Sequence, residues 1–177
     1  MNLEITTLAG TQRTLDPTTV AGLRSRMRGP VLTVADPGYD AARRIRNAMI
    51  DKRPALIARC AGAADVLEAV CFAMTHEVLT SVRGGGHNVA GTAVCDGGLM
   101  IDLSLMKGIR VDPAARTVRA QPGPLWQEFD HERRRCCTKQ HETALDAASG
   151  DYGVDGLTHR NSQIGALLSV GGKIREC

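Results

Sequence analysis

Residues 80–91 carry the residue types best suited to chemistry in this chain. A short apolar run over residues 78–82 is followed by Arg83, three consecutive glycines and His87. Glycine lacks Cβ and reaches positive φ, so consecutive glycines after a strand can turn several N–H groups toward one anion. Arg83 can add a charge-assisted hydrogen bond to the same anion. The loop therefore indicates a phosphate or pyrophosphate cradle that contains a nucleophilic imidazole.

Two nucleotide motifs and a plain turn are the alternatives to this interpretation. A Rossmann fingerprint requires G-x-G-x-x-G, but Val89 stands where the third glycine is needed. A P-loop requires Gly-Lys-Ser/Thr, whereas Gly91 is followed by Thr92 and Ala93. Glycine clusters also form ordinary turns, so the residues alone leave a ligand-binding loop and a structural turn both open.

Composition and charge indicate one globular domain and argue against some partners. The chain has 177 residues, 43% of them hydrophobic, which suits a single domain with a proper core. A net charge of +3 is too small to favour nucleic acid, and the arginine run at 133–135 is typical of a solvated helix face. No apolar run approaches the roughly 20 residues of a membrane span. We therefore expect neither a nucleic-acid partner nor a membrane partner.

Cysteine usage favours a reducing compartment. The six cysteines show no C-x-x-C spacing, and residues 1–12 lack the basic region and apolar core of a signal peptide. We therefore expect reduced thiols in the cytoplasm. A zinc site would have to combine Cys136, Cys137, His131 and His141, whose spacing matches no known zinc pattern.

The patterns before the loop predict a strand, a helix and a second strand. Residues 54–59 and 78–82 are typical of short buried strands, and residues 63–76 form the most regular helical pattern in the chain. Such a unit implies parallel strands and a right-handed crossover. The glycine loop then follows a strand's carboxyl end, where α/β sheets tend to bind ligands. The apolar face predicted for the helix comprises Val66, Leu67, Val70, Cys71 and Met74, with Asp65 and Glu68 off that face.

Helices are also predicted further upstream. Asp16 and Pro17 are typical of an N-cap and a first helical position, and apolar residues follow at helical spacing. A second helical stretch, rich in alanine and arginine, is predicted over residues 39–49. We interpret residues 1–32 as a helical lead-in to the domain that holds the loop.

The pattern changes after the loop. Residues 99–103 are strand-like, and residues 108–111 and 117–121 flank a turn sequence, so we expect a β-hairpin and a more antiparallel sheet after Leu99. A helix is predicted after this hairpin. It contains Trp126, and the large area that a tryptophan buries favours a place in the core over contact with a cofactor.

A series of short motifs runs in order through residues 33–130. The motifs are Asp36-Pro37-Gly38-Tyr39, Asn47, Arg53-Pro54, Asp65-Val66, Arg83-Gly84-Gly85-Gly86-His87-Asn88, Gly91, Asp96-Gly97-Gly98, Ile101-Asp102-Leu103-Ser104, Met106-Lys107 and Gln121-Pro122-Gly123. In this order they resemble the FAD-linked oxidases of the berberine bridge enzyme and 6-hydroxynicotine oxidase type, whose FAD-binding domain is called PCMH-type.

The resemblance implies a fold, a cofactor and a set of binding residues. The fold is α/β (α+β), with a small parallel βαβ subdomain followed by a mainly antiparallel sheet. In the family the glycine loop wraps the FAD pyrophosphate, and its histidine is often bonded covalently to the flavin 8α-methyl. That position is His87 here; the alternative is a loop histidine that only hydrogen-bonds the flavin or a carbonyl. The implied FAD-binding residues are Arg83, Gly84, Gly85, Gly86, His87, Asn88, Gly91, Gln121, Gly153 and Gly156.

The resemblance weakens after Asp130. The family continues with a glycine-rich segment that covers the flavin, and only residues 153–158 match it here. Residues 166–170 look like a remnant of the strand that should follow. We interpret the chain as an N-terminal fragment, truncated and frame-disturbed after Asp130. Residues 33–130 are then the N-terminal part of the FAD domain, and residues 131–177 are its divergent, incomplete remainder, which we expect to pack poorly.

Three functions follow from these patterns. The first is the FAD-binding part of a flavin-dependent oxidoreductase, an oxidase in which the flavin takes a hydride from a small organic substrate and passes electrons to dioxygen. The second is a catalytically inactive, truncated remnant with weak or no FAD binding. The third is an anion-binding or nucleotide-binding module unrelated to flavin. The resemblance implies no catalytic side chain and no metal within this chain, and no pattern specifies the substrate or the oligomeric state.

Overall fold

The computed structural model of the chain describes residues 2–112, 114–115, 117–136 and 171–173. These residues form a mixed α/β fold with three small sheets. In chain order the elements are β1 (Leu3–Thr6), β2 (Gln12–Leu15), α1 (Pro17–Arg26), β3 (Val31–Leu32), α2 (Tyr39–Arg43), β4 (Leu56–Arg59), α3 (Ala63–Thr75), β5 (Thr80–Arg83), β6 (Leu99–Asp102), β7 (Ile109–Asp112), β8 (Thr117–Ala120), α4 (Trp126–Cys136) and β9 (Gly171–Lys173).

A four-stranded sheet with the order β3-β4-β6-β5 forms the centre of the fold. β4 and β5 are parallel strands of this sheet and α3 connects them, as the strand–helix–strand pattern predicts. β6 lies between them and runs parallel to both. β6 itself belongs to this parallel arrangement, so the more antiparallel sheet expected after Leu99 begins only at β7. All four residues of β6 are buried, which suits the middle strand of a sheet covered on both faces.

Apolar layers cover the two faces of this central sheet. Successive residues of a strand point to opposite faces, so Leu56 and Leu99 pack with the buried residues of α1 and α3, whereas Ile57 and Met100 pack on the other side with Tyr39. The second layer also contains residues of the segment between β5 and β6. The loop of interest is therefore attached to a buried part of the fold.

The helix α3 runs over Ala63–Thr75, as predicted, but only part of its predicted face meets the core, where Val66 and Val70 pack. Ala69, Phe72 and Ala73 are buried, whereas Leu67 is 62% exposed and Met74 is 67% exposed. The helix carries apolar side chains on more than one side, so side-chain spacing alone did not separate the buried positions from the exposed ones.

Asp65 was predicted to lie off the core side of α3, and it is instead almost completely buried. Its carboxylate accepts hydrogen bonds from the backbone N–H groups of Arg28, Gly29 and Ala61 at 2.9, 3.0 and 2.8 Å. These bonds tie the start of α3 to the turn between α1 and β3. A buried carboxylate is stable here because several N–H donors replace the water it loses.

The first 32 residues contain a β-hairpin as well as the predicted helix. β1 and β2 pair antiparallel, and Thr7 forms a bridge with Val78 beside β5, so the hairpin extends the edge of the central region. α1 follows with Asp16 as its N-cap and Pro17 at its start, as predicted. The expected helical lead-in is therefore part strand and part helix.

The chain after the central sheet forms a small antiparallel sheet and a helix. β7 and β8 form the predicted hairpin, β9 pairs antiparallel with β8, and α4 begins at Trp126. Most of residues 131–177, including the segments 153–158 and 166–170, lie outside the described residues. In the part of the chain that the structure describes, no helix combines the length and apolarity needed to cross a bilayer.

Candidate functional site

The glycine loop leaves the central sheet at the carboxyl end of β5 and returns to it at β6. The carboxyl ends of β4, β5 and β6 lie side by side, because Asp102 is in register with Arg59 on one neighbour and with Arg83 on the other. Asp102 is fully buried; its Oδ2 lies 3.0 Å from the Nε atom of Arg59, and its Oδ1 accepts from the N–H of Ser104. Asp102 thus pairs with Arg59 at this edge. Arg83, on the other side of Asp102, lies next to the glycine loop.

Arg83 lies beneath the glycine loop. Its Nη1 atom donates to the carbonyl of Ala42 at the end of α2, which anchors the guanidinium. Its Nε atom is buried and has no hydrogen-bond partner among the described residues. Gly86 has φ +75°, and a Cβ on it would lie 3.3 Å from that Nε atom. A glycine is therefore needed where the loop passes over the arginine.

Three consecutive backbone N–H groups of the loop have no backbone acceptor in the part of the chain that the structure describes. Within the described residues, the N–H groups of Gly84, Gly85 and Gly86 donate to no backbone carbonyl. The carbonyl of Gly86 accepts from the N–H of Arg46 at 3.0 Å, so the loop is held in place from its acceptor side. Consecutive N–H groups around a left-handed glycine form an anion-binding concavity. These N–H groups and the buried Nε atom of Arg83 below them are the donors that the predicted anion cradle would need.

His87 lies at the end of the cradle and lines a cavity of about 500 Å³. Its Nδ1 atom lies 3.3 Å from the Nη1 atom of Arg46. The ring is half-buried, and Gly85 leaves room for it, since a Cβ there would lie 3.1 Å from the histidine Cδ2. The cavity has the size of a small-molecule site, and its lining combines polar and apolar side chains. Its lining residues are Arg46, Asn47, His87, Val89, Leu125, Trp126 and Gln127.

Trp126 is a wall of this cavity, so its predicted place in the core is wrong. Its side chain is 57% exposed, and it makes an edge-to-face contact with Phe129 at a ring-centroid distance of 5.4 Å. Sequence reasoning relied on the area that a tryptophan usually buries. It could not detect that the first turn of α4 reaches the glycine loop.

The segment between α2 and β4 fixes the far side of the loop. Asn47 Nδ2 donates to the carbonyl of Val89 at 2.9 Å, and Lys52 Nζ donates to the carbonyls of Gly91 and Val94, each at 3.3 Å. This segment was predicted as the end of a helix over residues 39–49, but α2 ends at Arg43 and the chain beyond it is not helical. Arg46, Asn47 and Lys52 are therefore contacts of the loop that sequence reasoning missed, although Asn47 was among the family motifs.

Gly91 is a packing glycine in this structure. It has φ +69°, and a Cβ on it would lie 2.1 Å from the Cδ1 atom of Ile50. The side-chain Oδ1 of Asn88 accepts from the N–H of Thr92 at 3.1 Å, which closes the turn. Both predicted residues hold the shape of the loop.

The remaining predicted residues lie away from the cradle. Gln121 Oε1 accepts from the N–H of Gly108 at 2.7 Å and so closes the β7–β8 hairpin; it does not line the cavity. Gly153 and Gly156 lie outside the described residues. For the zinc alternative, Cys137 and His141 also lie outside them, and the described part of the chain contains no cluster of three or more metal-ligating side chains.

Comparisons with known proteins agree with this geometry. A family model described as FAD binding domain matches residues 54–173. The chain is 41% identical over 99 residues to (R)-6-hydroxynicotine oxidase of Paenarthrobacter nicotinovorans, which covers 56% of this chain and 22% of that protein. It is 31% identical over 112 residues to the uncharacterized FAD-linked oxidoreductase YgaK of Bacillus subtilis, which covers 59% of this chain and 25% of that protein.

A solved structure is similar as well. The crystal structure of 6-hydroxy-D-nicotine oxidase from Arthrobacter nicotinovorans matches with a TM-score of 0.60 and 37% identity, over 62% of this chain and 24% of that one. The matches thus span about a quarter or less of the length of these relatives.

Proposed function

Because the chain belongs to the FAD binding domain family and has the PCMH-type α/β fold, we propose that it is the FAD-binding part of a flavin-dependent oxidase. In this proposal FAD, when bound, supplies a two-electron oxidation of a small organic substrate and delivers the electrons to dioxygen. The chain's own residues bind and orient the cofactor. The substrate and the whole protein's activity belong to the proposal, because the matches cover only a quarter or less of the relatives.

The buried, unpaired Nε atom of Arg83 is the observation that carries the proposal. A buried guanidinium N–H without a partner is costly, and an anionic oxygen at the loop would satisfy it. The N–H groups of Gly84, Gly85 and Gly86 provide further donors for the same anion. A pyrophosphate fits this donor set because it offers several negative oxygens to several donors at once.

The cavity beside His87 fits the flat, mostly apolar ring system of the cofactor. Its volume of about 500 Å³ and its walls of Val89, Leu125 and Trp126 suit an aromatic group. The imidazole of His87 is a nucleophile, and we propose it as the attachment point of a covalent bond to the flavin in the complete enzyme. Its position at the junction of cradle and cavity supports this role.

FAD binding and its dependence on Arg83 test the proposal. The 177-residue chain is titrated with FAD by isothermal calorimetry, and Arg83→Met is compared with it. Hydrogen bonds to a charged partner contribute ~1.5–3 kcal/mol, so we expect the Kd for FAD to rise roughly 10- to 150-fold. Arg110→Met is the matched control, because Arg110 is exposed on β7 and far along the chain from the loop.

Two outcomes contradict this proposal. One is a wild-type chain, folded by circular dichroism, that shows no FAD binding at millimolar cofactor. The other is an Arg83→Met variant that binds FAD as tightly as the Arg110→Met control.

The proposed location is the cytoplasm. Cys60, Cys71 and Cys95 are free thiols. Free thiols are the usual state of cysteine in a reducing compartment, which supports this part of the proposal.

A further inference from the structure

The first turn of α4 presents apolar side chains to solvent where they would ordinarily be buried. Trp126, the chain's single tryptophan, is 57% exposed, and its neighbours Leu125 and Val89 are exposed as well. All three line the cavity that contains His87. A cluster of exposed apolar residues in a concave site indicates a ligand surface rather than ordinary surface variation.

This wall is held in a fixed position by polar contacts at the start of α4. Glu128 Oε2 accepts from the N–H of Leu125 at 2.8 Å, and Glu128 Oε1 forms an ion pair with Lys107 Nζ at 2.6 Å. Phe129 packs edge to face against Trp126. The polar contacts hold the backbone at the start of α4, and the Phe129 ring restricts the rotation of the indole, which lowers the entropy cost of binding against it.

The wall adjoins the phosphate cradle directly. The Cδ2 atom of Leu125, the residue before α4, lies 3.8 Å from the position that a Cβ would take on Gly85, so the start of α4 lies beside a cradle glycine. A ligand with its anionic group on the N–H groups of the loop would place the adjoining ring system in the cavity between His87 and Trp126.

From this arrangement we propose that Trp126 forms the stacking wall of the isoalloxazine subsite, a deeper statement that rests on the proposed FAD function. Trp126 is a binding residue in this proposal, since it touches the ring of the cofactor and not its phosphates. The ring system of the flavin, and not the adenine of the same cofactor, occupies the cavity that contains His87.

Two ligands separate the ring from the rest of the cofactor. FAD and ADP both carry adenine and a pyrophosphate, but only FAD carries the isoalloxazine ring. Each is titrated by calorimetry into the wild-type chain and the Trp126→Ala and Trp126→Phe variants. Stacking of one aromatic ring on another corresponds to about a tenfold change in Kd. We expect Trp126→Ala to weaken FAD binding about tenfold and to leave ADP binding unchanged, and Trp126→Phe to recover most of the loss.

A spectroscopic measurement accompanies the titration. Contact with an indole ring should shift the visible absorption and circular dichroism of bound flavin, and this shift should be absent in Trp126→Ala. Loss of tryptophan emission is used only to report binding, because energy transfer to flavin extends well beyond contact distance. The matched control is Met74→Ala, since Met74 is also exposed, on α3, but does not line the cavity.

Failures of the two proposals are distinguishable. FAD binding that is unchanged in Trp126→Ala overturns the stacking wall and leaves the FAD function standing. Equal weakening of FAD and ADP also overturns it, because the adenine would then be the group at Trp126. A folded wild-type chain without any affinity for FAD overturns both proposals. If Trp126→Ala fails to fold, the spectrum of flavin bound to Trp126→Phe decides: it should differ from wild type because a phenyl ring replaces the indole, and a spectrum identical to wild type contradicts the inference.

Discussion

The Nη1 atom of Arg46 lies 3.3 Å from the Nδ1 atom of His87. An arginine side chain can only donate, so Nδ1 accepts this hydrogen bond and the proton of a neutral ring resides on Nε2. Arg46 comes from the non-helical chain after α2 and its own N–H is bonded to Gly86. The same residue therefore fixes both the loop and the tautomer of its histidine.

The first prediction concerns this tautomer. In the free chain we expect the neutral ring of His87 to be mainly the Nε2–H form, and Arg46→Met should shift the population toward Nδ1–H because the donor to Nδ1 is gone. Long-range ¹H–¹⁵N correlation spectra of the histidine rings measure the two forms. Arg46→Lys retains a cationic donor and serves as the control. A wild-type ring that is mainly Nδ1–H would contradict the contact.

The second prediction concerns Asp65 and acid stability. Burial raises the pKa of this carboxyl, but the hydrogen bonds from Arg28, Ala61 and Gly29 outweigh burial, so its pKa lies below the ordinary value of 3.8. A carboxyl with a lowered pKa stabilises the fold above its unfolded-state pKa, and this contribution is lost as the pH falls through the folded-state pKa. Wild-type stability should therefore decline in acid below about pH 4.

Asp65→Asn tests this assignment. An amide replaces one acceptor oxygen by a donor and leaves a buried N–H unpaired, so we expect a loss of about 1–3 kcal/mol at pH 7. Thermal unfolding followed by circular dichroism measures the stability of both proteins. The difference in their free energy of unfolding should narrow as the pH is lowered below the ordinary carboxyl pKa. Glu4→Gln, at an exposed position in β1, should unfold like wild type. A constant difference at all pH values would show that the charge of Asp65 contributes nothing.

The local parts of the site could be predicted from sequence, and the long-range parts could not. Consecutive glycines between a strand and His87 specify a loop with free N–H groups because this depends on neighbours in the chain. Arg46 and Lys52 reach that loop from about 40 residues away, and no local pattern encodes such a contact. Asn47 was one of the residues that carried the family resemblance, but the sequence did not show its hydrogen bond to the carbonyl of Val89.

The position of β6 in the sheet and the buried side of α3 could not be predicted from the sequence for a similar reason. The sequence of β6 specifies a buried strand, but its position between β4 and β5 depends on which edges remain free when the chain returns from the loop. In α3, Leu67 and Met74 are as apolar as Phe72, so the buried stripe is chosen by the shape of the sheet and by the clamp on Asp65. Local spacing contains neither piece of information.

The third prediction concerns cysteine reactivity. Burial, with added repulsion from Asp65 and Asp102, raises the pKa of Cys60 to about 12, and burial also raises the pKa of Cys95. The thiolate is the reactive form, so both thiols should resist alkylation in the folded chain. Cys71 is exposed on α3 and should react. Peptide mass spectrometry after brief iodoacetamide treatment at pH 8 identifies the modified residues, and treatment in denaturant is the control. Modification of Cys60 as fast as Cys71 in the native chain would contradict this burial.

The last prediction concerns covalent attachment at His87. In the part of the chain that the structure describes, the cavity is walled by exposed residues, among them Val89 and Trp126, so one side of a bound flavin ring would face solvent. Covalent attachment requires the ring to stay beside the imidazole, and each lost contact of ~1.4 kcal/mol raises Kd tenfold. We therefore expect the 177-residue chain to bind FAD weakly and reversibly, through the loop and Arg83, without oxidase turnover. After incubation with FAD and denaturing electrophoresis, the protein band should show no flavin fluorescence, and His87→Ala should retain most of the reversible binding. A fluorescent band that disappears in His87→Ala would show instead that the described walls suffice to hold the ring against the imidazole.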